Sequence, residues 1–309
     1  MSIIMAIAPI FVLIILGYSL RRGGIPSREF WNLNDQLVYY VLMPALFFVR
    51  ISTADLGEAM LGPYTGVLYA GFLGAVIYGV VCGLALRRGR ALASTVMQGS
   101  ARFNTFVALA VAEALYGAPG LQLAVLGAAV LVPGVNLIVV ILFALMVPRK
   151  GGSIIGGTLW RLVTNPLIIA IVLALLVNRA GLGPIPVLHP TGVILGAAAL
   201  PIMLLCVGAN LKLAGLRADV LPMIFASFGK LALFPVIIII AAMTLGASPL
   251  QAQVALIYGA LPTGVAAYTL ARQFGGDAPL MASMITVQTG LSFLTMPLWL
   301  HLGERLFLN

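Results

Sequence analysis

The second half of this chain repeats the first at an offset of about 158 residues. Arg21–Pro26, which reads Arg-Arg-Gly-Gly-Ile-Pro, corresponds to Arg179–Pro184, which reads Arg-Ala-Gly-Leu-Gly-Pro. Tyr116-Gly117 corresponds to Phe274-Gly275 at the same offset. An internal repeat of this length indicates that one structural unit has been used twice, and it constrains the fold more than any single motif does.

The chain is too apolar for a soluble fold. Of its 309 residues, 62% are hydrophobic and 8% are charged, whereas a soluble domain carries about a quarter charged residues. Met1–Leu20 has no positive charge before its apolar run and no small-residue cleavage site after it. We therefore interpret this stretch as a first membrane span rather than as a signal peptide.

Ten apolar segments are long enough to cross a bilayer as helices, which takes about 17–25 residues each. They lie approximately at residues 3–20, 31–50, 64–86, 91–115, 120–147, 161–178, 191–210, 221–244, 251–271 and 278–302. Because five crossings are an odd number, a second five-helix unit enters the membrane in the opposite orientation, as in secondary transporters. The sequence predicts an all-α membrane protein with ten transmembrane helices in two inverted five-helix repeats, over residues 1–148 and 149–309.

Positive charges predict the orientation of the spans, because short cytoplasmic loops retain Lys and Arg during insertion. Of the 17 such residues, twelve lie in the odd-numbered loops and three on the other side. The twelve are Arg21, Arg22, Arg28, Arg87, Arg88, Arg90, Arg149, Lys150, Arg161, Lys212, Arg217 and Arg272. We expect these loops to be cytoplasmic and both termini to lie outside. The net charge of +9 then fits anionic lipid headgroups rather than nucleic acid.

Spans four and nine contain sequences that favour a break in a helix. Span four includes the polar stretch Gln98–Thr105, and span nine includes Gly259–Gly264, in which Pro262 removes a backbone hydrogen bond. A break at mid-depth is tolerated only where it faces protein or a water-filled cavity. Two half-helix N-termini there would present free N–H groups and partial positive charge, which suit a carboxylate. For Pro262 alone, a kink in a packed helix is the alternative.

The candidate substrate-binding residues lie at these breaks or in neighbouring spans. They are Arg102, Asn104, Thr105, Asn136, Pro262, Thr263 and Gln288. Arg102 would add a fixed positive charge to an anion site, or else snorkel or pair with an acid. The amides and hydroxyls, with Tyr268 and Thr269 as further candidates, can orient a carboxylate or hydrogen-bond between helices.

Two charged residues of the spans are candidates for structural or coupling roles. Lys230 lies inside span eight, where we favour an internal anchor over contact with the substrate. Glu113 lies near the outer end of span four. We interpret it as an interfacial carboxylate, with a proton-carrying role left open.

Several segments of the chain, in this order, carry a resemblance to one known family. They are Asn32–Ser52, Thr164–Leu167, Leu200–Leu211, Lys230 followed by Pro235, and Ala260–Pro262 through Gly275–Asp277 to Met296–Leu298. Together they resemble the auxin efflux carrier family, whose bacterial members include malonate and other organic-acid carriers. The resemblance covers nearly the whole chain and includes a likeness to the bile acid/sodium symporter superfamily.

The resemblance implies a scaffold domain and a transport domain, each with helices of both repeats, and two crossing broken helices that hold the substrate. It also implies an elevator-like movement of the transport domain and a homodimer formed through the scaffold. The family's crossover asparagine matches Asn104, and its crossover proline in the second repeat matches Pro262. Relatives commonly place a proline several residues after the asparagine, but Phe106–Ala112 contains none. The break in span four therefore has less support than the break in span nine.

Other classes of function fit the sequence less well. An intramembrane enzyme needs a nucleophile and base, paired acids or a metal cluster, whereas His189 and His301 lie at a span edge and near the C-terminus. A channel is the other alternative, since Asn165-Pro166 is similar to a water-channel signature, but the first repeat lacks the motif. We expect a carrier of small organic anions, mono- or dicarboxylates, in a bacterial inner membrane. We expect no enzymatic activity, no cofactor, no metal and no nucleic-acid partner.

Overall fold

The described part of the chain is helical apart from its turns. The computed structural model describes residues 3–56, 62–147, 160, 163–212 and 219–308. Within these ranges, five helices have the length and apolar composition needed to cross a membrane, and the shorter helix Pro166–Arg179 is also apolar. Together with the composition, these helices are those of a multi-pass membrane protein.

The described residues of the first half form six helices and one π-helical turn. The helices are α1 (Ile3–Arg22), α2 (Arg28–Leu37), α3 (Met43–Ser52), α4 (Pro63–Ala85), α5 (Arg90–Ala101) and α6 (Thr105–Met146). The π-helical turn Val38–Leu42 joins α2 to α3. Gly117, with φ 59° and ψ −148°, divides α6 into two arms, because this backbone conformation is accessible essentially to glycine alone.

The described residues of the second half form seven helices and a second π-helical turn. The helices are α7 (Pro166–Arg179), α8 (Leu188–Ala209), α9 (Val220–Phe228), α10 (Phe234–Leu245), α11 (Pro249–Ala260), α12 (Ala266–Phe274) and α13 (Ala278–Phe307). The turn Gly229–Leu233 joins α9 to α10. Within the predicted sixth span, 161–178, helix α7 begins at Pro166, because Asn165 is its N-cap and accepts a hydrogen bond from the Leu167 N–H at 2.9 Å. Residues 161 and 162 of this span lie outside the described residues.

The helix boundaries recur at about the offset of the sequence repeat. The predicted breaks in spans four and nine are confirmed, at residues 102–104 and 261–265. Gly275, at φ 78°, takes the place in the second half that Gly117 has in the first. The predicted boundary between residues 148 and 149 lies outside the described residues, and so do Arg149, Lys150, Arg161 and Arg217.

The helices pack in two groups, each with helices from both halves. In the first, which we call the peripheral group (α1, α2, α3, α7 and α8), α1 packs on α8, and α3 packs on α7 and α8. In the second, which we call the core group (α4–α6 and α9–α13), α4 packs on α5 and α10, and α11 packs on α10 and α13. Helix α6 of the core group also contacts α1, α3 and α8. The interface between the groups therefore runs mainly along α6, and α13 of the core group adds a contact with α1.

Glycines bring α1 and α8 of the peripheral group into backbone contact. A Cβ atom at Gly17 would overlap the backbone carbonyl of Leu205, and one at Gly208 would overlap the carbonyl of Ile14. Small residues at a crossing let two membrane helices approach closely, and dispersion contacts then hold them. Any larger residue at either glycine would separate α1 from α8.

Candidate functional site

Asn104 shapes the break between α5 and α6. The chain leaves α5 in extended conformation at Arg102 (φ −71°, ψ 151°), and Asn104 (φ −89°, ψ 95°) is the N-cap of α6. Its Oδ1 accepts hydrogen bonds from the backbone N–H groups of Phe106 at 3.1 Å and Val107 at 3.3 Å. A side-chain cap thus starts α6 here without a proline.

A proline and a lysine shape the break between α11 and α12. Leu261 follows α11 in extended conformation (φ −68°, ψ 154°), and Pro262 has no N–H with which to continue the helix. The Nζ atom of Lys230, a fully buried side chain, donates hydrogen bonds to the carbonyls of Tyr258 at 3.0 Å and Gly259 at 2.9 Å. Lys230 therefore binds the last turn of α11, whose carbonyls the break leaves without helical partners.

The two breaks touch each other through their backbones. The N–H of Asn104 donates a hydrogen bond to the carbonyl of Pro262 at 3.0 Å. A Cβ atom at Gly264 would lie 2.6 Å from the carbonyl oxygen of Phe103, which is closer than packed atoms allow. The two extended segments therefore cross in direct contact, and the starts of α6 and α12 lie side by side.

Thr263 and Gln288 join the second break to the end of α5. The Thr263 N–H donates to Oε1 of Gln288 at 3.0 Å, and the Thr263 hydroxyl donates to the carbonyl of Gly99 at 2.9 Å. The Nε2 of Gln288 donates to the same carbonyl at 2.9 Å. Both side chains are fully buried. These bonds satisfy a carbonyl in the last turn of α5 and hold the two half-helices together.

A cavity of about 380 Å³ lies beside the crossing, between the core group and the peripheral group. Its polar lining residues are Tyr39, Arg102, Asn104, Thr105, Asn136, Asn165, Thr269 and Gln273. Valine, leucine and phenylalanine side chains complete the wall. A mostly apolar pocket with a few convergent polar groups is the usual form of a small-molecule site.

Arg102 brings a positive charge into this cavity. Its side chain is 9% exposed, and Nη1 and Nη2 both donate to Oδ1 of Asn136 at 3.1 Å. Among the residues that the structure describes, the ion pairs within 4.0 Å involve other side chains, so the guanidinium has no carboxylate partner. A buried charge without a counter-ion is costly. An anion in the cavity would compensate it.

Unpaired N–H groups at two helix starts add partial positive charge. Across the described ranges, the backbone N–H groups of Thr105, Gly264, Val265 and Ala266 have no protein acceptor, and neither has the Nδ2 of Asn104. All five residues line the cavity, and carboxylate oxygens accept hydrogen bonds from such groups. No group of three or more His, Cys, Asp or Glu side chains that could hold a metal occurs in the described chain.

The structure divides the predicted substrate-binding residues into two sets. Those that line the cavity are Arg102, Asn104, Thr105 and Asn136. Pro262, Thr263 and Gln288 lie behind the crossing and bond to the backbone of the broken helices. These three residues are not among the lining residues of the cavity, and their hydrogen bonds position the broken helices beside it.

Sequence reasoning missed three polar residues of the cavity, Tyr39, Asn165 and Gln273. Each lies away from the breaks along the chain and reaches the cavity through tertiary packing. The Asn165-Pro166 pair was a recognisable signal, but its local role is to cap α7. Of the further candidates in span nine, Thr269 lines the cavity. Tyr268 instead contacts Lys212, whose Nζ atom lies over the Tyr268 ring, 4.0 Å from the ring centroid.

A second cavity, of about 510 Å³, lies between the same two groups but near the Gly117 corner of α6. Its walls come from α1, α3, α6 and α8 and are mostly apolar, with Arg50, Thr53 and Glu113 as the polar lining residues. Glu113 is exposed and is not part of the cavity that contains Arg102. The two cavities therefore differ in their charged groups and in their position along α6.

The chain matches a membrane-transport family, and proteins named as transporters, over nearly its whole length. The model of the family described as "Membrane transport protein" matches residues 2–156 and 152–300. An "Uncharacterized transporter" of Methanothermobacter thermautotrophicus is 27% identical over 301 residues, covering 94% of this chain and 95% of that protein. A protein of Rhizobium meliloti named "Putative malonate transporter" is 28% identical over 319 residues, covering 96% of this chain and 94% of that protein. The chain therefore belongs to the membrane transport protein family, that of the auxin efflux carriers, and is a membrane transporter.

Proposed function

We propose that this transporter carries small organic anions with one or two carboxylate groups. The observation that carries the proposal is the buried guanidinium of Arg102, which faces the cavity with Asn136 as its amide partner. A guanidinium can bind a carboxylate through two parallel hydrogen bonds. The unpaired N–H groups at the starts of α6 and α12 offer further donors. A cationic substrate would be repelled by the same groups.

The size of the cavity supports a substrate of a few carbon atoms. Its volume of about 380 Å³ lies in the lower part of the range of about 300–1,000 Å³ for small-molecule sites. The polar groups gather at the crossing, and Val132, Val140 and Phe274 form an apolar wall. A short carboxylic acid would place its carboxylate at the polar crossing and its carbon atoms against the apolar wall. Because one relative is named for malonate, malonate is the first substrate to test.

We propose an elevator movement for a fold of ten spans in two inverted five-helix repeats. The core group would be the transport domain and the peripheral group the scaffold. Support comes from the recurrence of the breaks and of the glycine corners Gly117 and Gly275. Both cavities lie between the groups, one at the crossing and one near Gly117. Sliding of the core group would move the anion from the region of one cavity to that of the other.

The proposed location is a bacterial inner membrane, with both termini outside. Support comes from the positive charges of the odd-numbered loops. Tyr39, Asn165 and Gln273 lie close to these loops along the chain, so the cavity with Arg102 would open to the cytoplasm. A homodimer through the peripheral group belongs to the same proposal and rests on the family alone.

Counterflow of labelled malonate in proteoliposomes tests the proposal. A carrier preloaded with unlabelled substrate accumulates the label transiently, whereas a pore does not. Arg102→Gln should reduce affinity by at least about 30-fold, because a buried charged hydrogen-bonding partner contributes about 2–5 kcal/mol. Asn136→Asp keeps the side-chain shape but neutralises the guanidinium, so it should weaken binding in the same direction.

Arg90→Gln is the matched control, since Arg90 is exposed at the first turn of the same helix, α5. It should transport like the wild type. Wild-type affinity in both Arg102→Gln and Asn136→Asp would disprove an anion site at this cavity. Equal flux with and without preloaded substrate would favour a channel.

A further inference from the structure

The carbonyl ends of both broken helices are occupied by donors of the chain itself. In carriers with discontinuous helices, unwound carbonyls and half-helix C-termini coordinate the coupling cation. At the end of α11 that position is taken by Lys230, whose Nζ lies 3.0 Å from the Tyr258 carbonyl oxygen and 2.9 Å from that of Gly259. At the end of α5, Thr263 and Gln288 donate to the carbonyl of Gly99.

The surroundings of Lys230 are those of a bound cation. Its side chain is 0% exposed, and Nζ also lies 3.9 Å from the centroid of the Phe234 ring, over its face. Two carbonyl oxygens, an aromatic face and the negative end of the α11 dipole each favour positive charge. The described residues place no carboxylate within 4.0 Å of Nζ. The Nζ atom therefore lies among two carbonyl oxygens and an aromatic ring, an environment that favours the protonated amine.

We infer that Lys230 is a resident cation, fixed in the chain at the place where other carriers bind a coupling ion, so that transport needs no alkali cation. The inference rests on the proposed function as an anion carrier. Lys230 is a positioning residue, because it acts on the substrate only through α11. By binding the end of α11, it keeps Pro262 and Gly264 at the crossing, where the starts of α6 and α12 meet.

The wild-type protein tests the inference without any substitution. Labelled malonate counterflow is measured at one pH in proteoliposomes containing N-methylglucamine, Na⁺ or K⁺ as the only added cation. Equal rates in all three are expected. A rate that rises and saturates with Na⁺ or K⁺ would overturn the inference while leaving anion transport intact. Absence of carboxylate counterflow in every buffer would instead disprove the proposed function.

Lys230→Met sharpens the test. In N-methylglucamine the variant should transport at least about tenfold more slowly, as expected when a charged buried donor is lost. Added Na⁺, K⁺ or methylammonium should restore part of the rate, because a small cation can enter the space left beside the carbonyls. Lys212→Met is the matched control, since Lys212 is exposed and should show neither loss nor restoration.

Two outcomes with Lys230→Met would overturn the inference. One is a wild-type rate in N-methylglucamine, and the other is a monodisperse but inactive protein that no cation restores, which would make Lys230 a packing residue only. If the variant aggregates on size-exclusion chromatography, the inference is tested by the wild-type rates in N-methylglucamine, Na⁺ and K⁺.

Discussion

The two helix breaks occupy equivalent places in the repeat but are held by different residues. At the first break Asn104 caps α6 with its side chain, and Arg102 supplies a full charge. At the second break Pro262 ends the hydrogen-bond ladder of α11, and Val265, the N-cap of α12, makes no side-chain capping bond. A crossing geometry can therefore be reached by two sets of side chains. The first break provides the charge of Arg102, and the second provides the backbone N–H groups that no side chain caps.

The comparison predicts the largest effect at Asn104. Asn104→Ala removes both the cap of α6 and the Nδ2 donor, so counterflow should fall by at least about tenfold, with a stability loss of about 0.5–2 kcal/mol from the missing cap. Asn104→Ser keeps a capping oxygen and should recover the stability but not the transport. Full transport in Asn104→Ala would show that the first break acts through Arg102 alone.

At the second break, where backbone proximity replaces side chains, we expect a smaller effect on transport, and the main effect is on stability. Gly264→Ala places a Cβ atom 2.6 Å from the Phe103 carbonyl oxygen, so the breaks must separate, at a cost of about 1–3 kcal/mol. Thermal unfolding of the purified protein measures the loss. Gly290→Ala is the control, since a Cβ there meets nothing within 4 Å. Equal unfolding temperatures for the two variants would contradict the tight crossing.

The smallest effect is expected from making the first half more like the second. Gln98 of α5 is fully buried, and its Oε1 and Nε2 have no hydrogen-bond partner in the described structure; its repeat counterpart is Leu256. Gln98→Leu should therefore leave transport unchanged and stabilise the fold by about 1–2 kcal/mol. A higher unfolding temperature checks this. Gln288→Leu should instead lower the unfolding temperature, because Oε1 and Nε2 of Gln288 both form hydrogen bonds that leucine cannot make.

The sequence predicted the parts of this fold that local chemistry determines. Apolar length predicted the long apolar helices, five of which in the described residues could cross a membrane. The proline at Pro262 and the polar stretch before Asn104 located the breaks. Within the predicted sixth span, helix α7 begins after the cap Asn165. Hydropathy does not register such a cap, so apolar length indicates the presence of a helix but not its first residue.

The site was predictable only where its residues adjoin the breaks. Tyr39 and Gln273 reach the cavity by packing between groups, and no periodicity of their own helices indicates this. Thr263 is a predicted substrate-binding residue because it adjoins the break at Pro262, and in the structure its hydroxyl donates to the carbonyl of Gly99 in α5. The direction of a side chain at a break depends on how two distant segments cross, and that information is not local.

The π-helical turn Gly229–Leu233 has a mechanical consequence. Lys230 in this turn is bonded to α11, and the Leu231 carbonyl accepts a hydrogen bond from the indole Nε1 of Trp299 in α13 at 2.7 Å. The Lys230 side chain is fully buried, and the three hydrogen bonds connect α11 and α13 to one turn, which continues into α10. In the proposed elevator movement, we expect α10, α11 and α13 to travel as a single rigid block. Spin-label distances within that block would then stay constant while distances from it to α8 change.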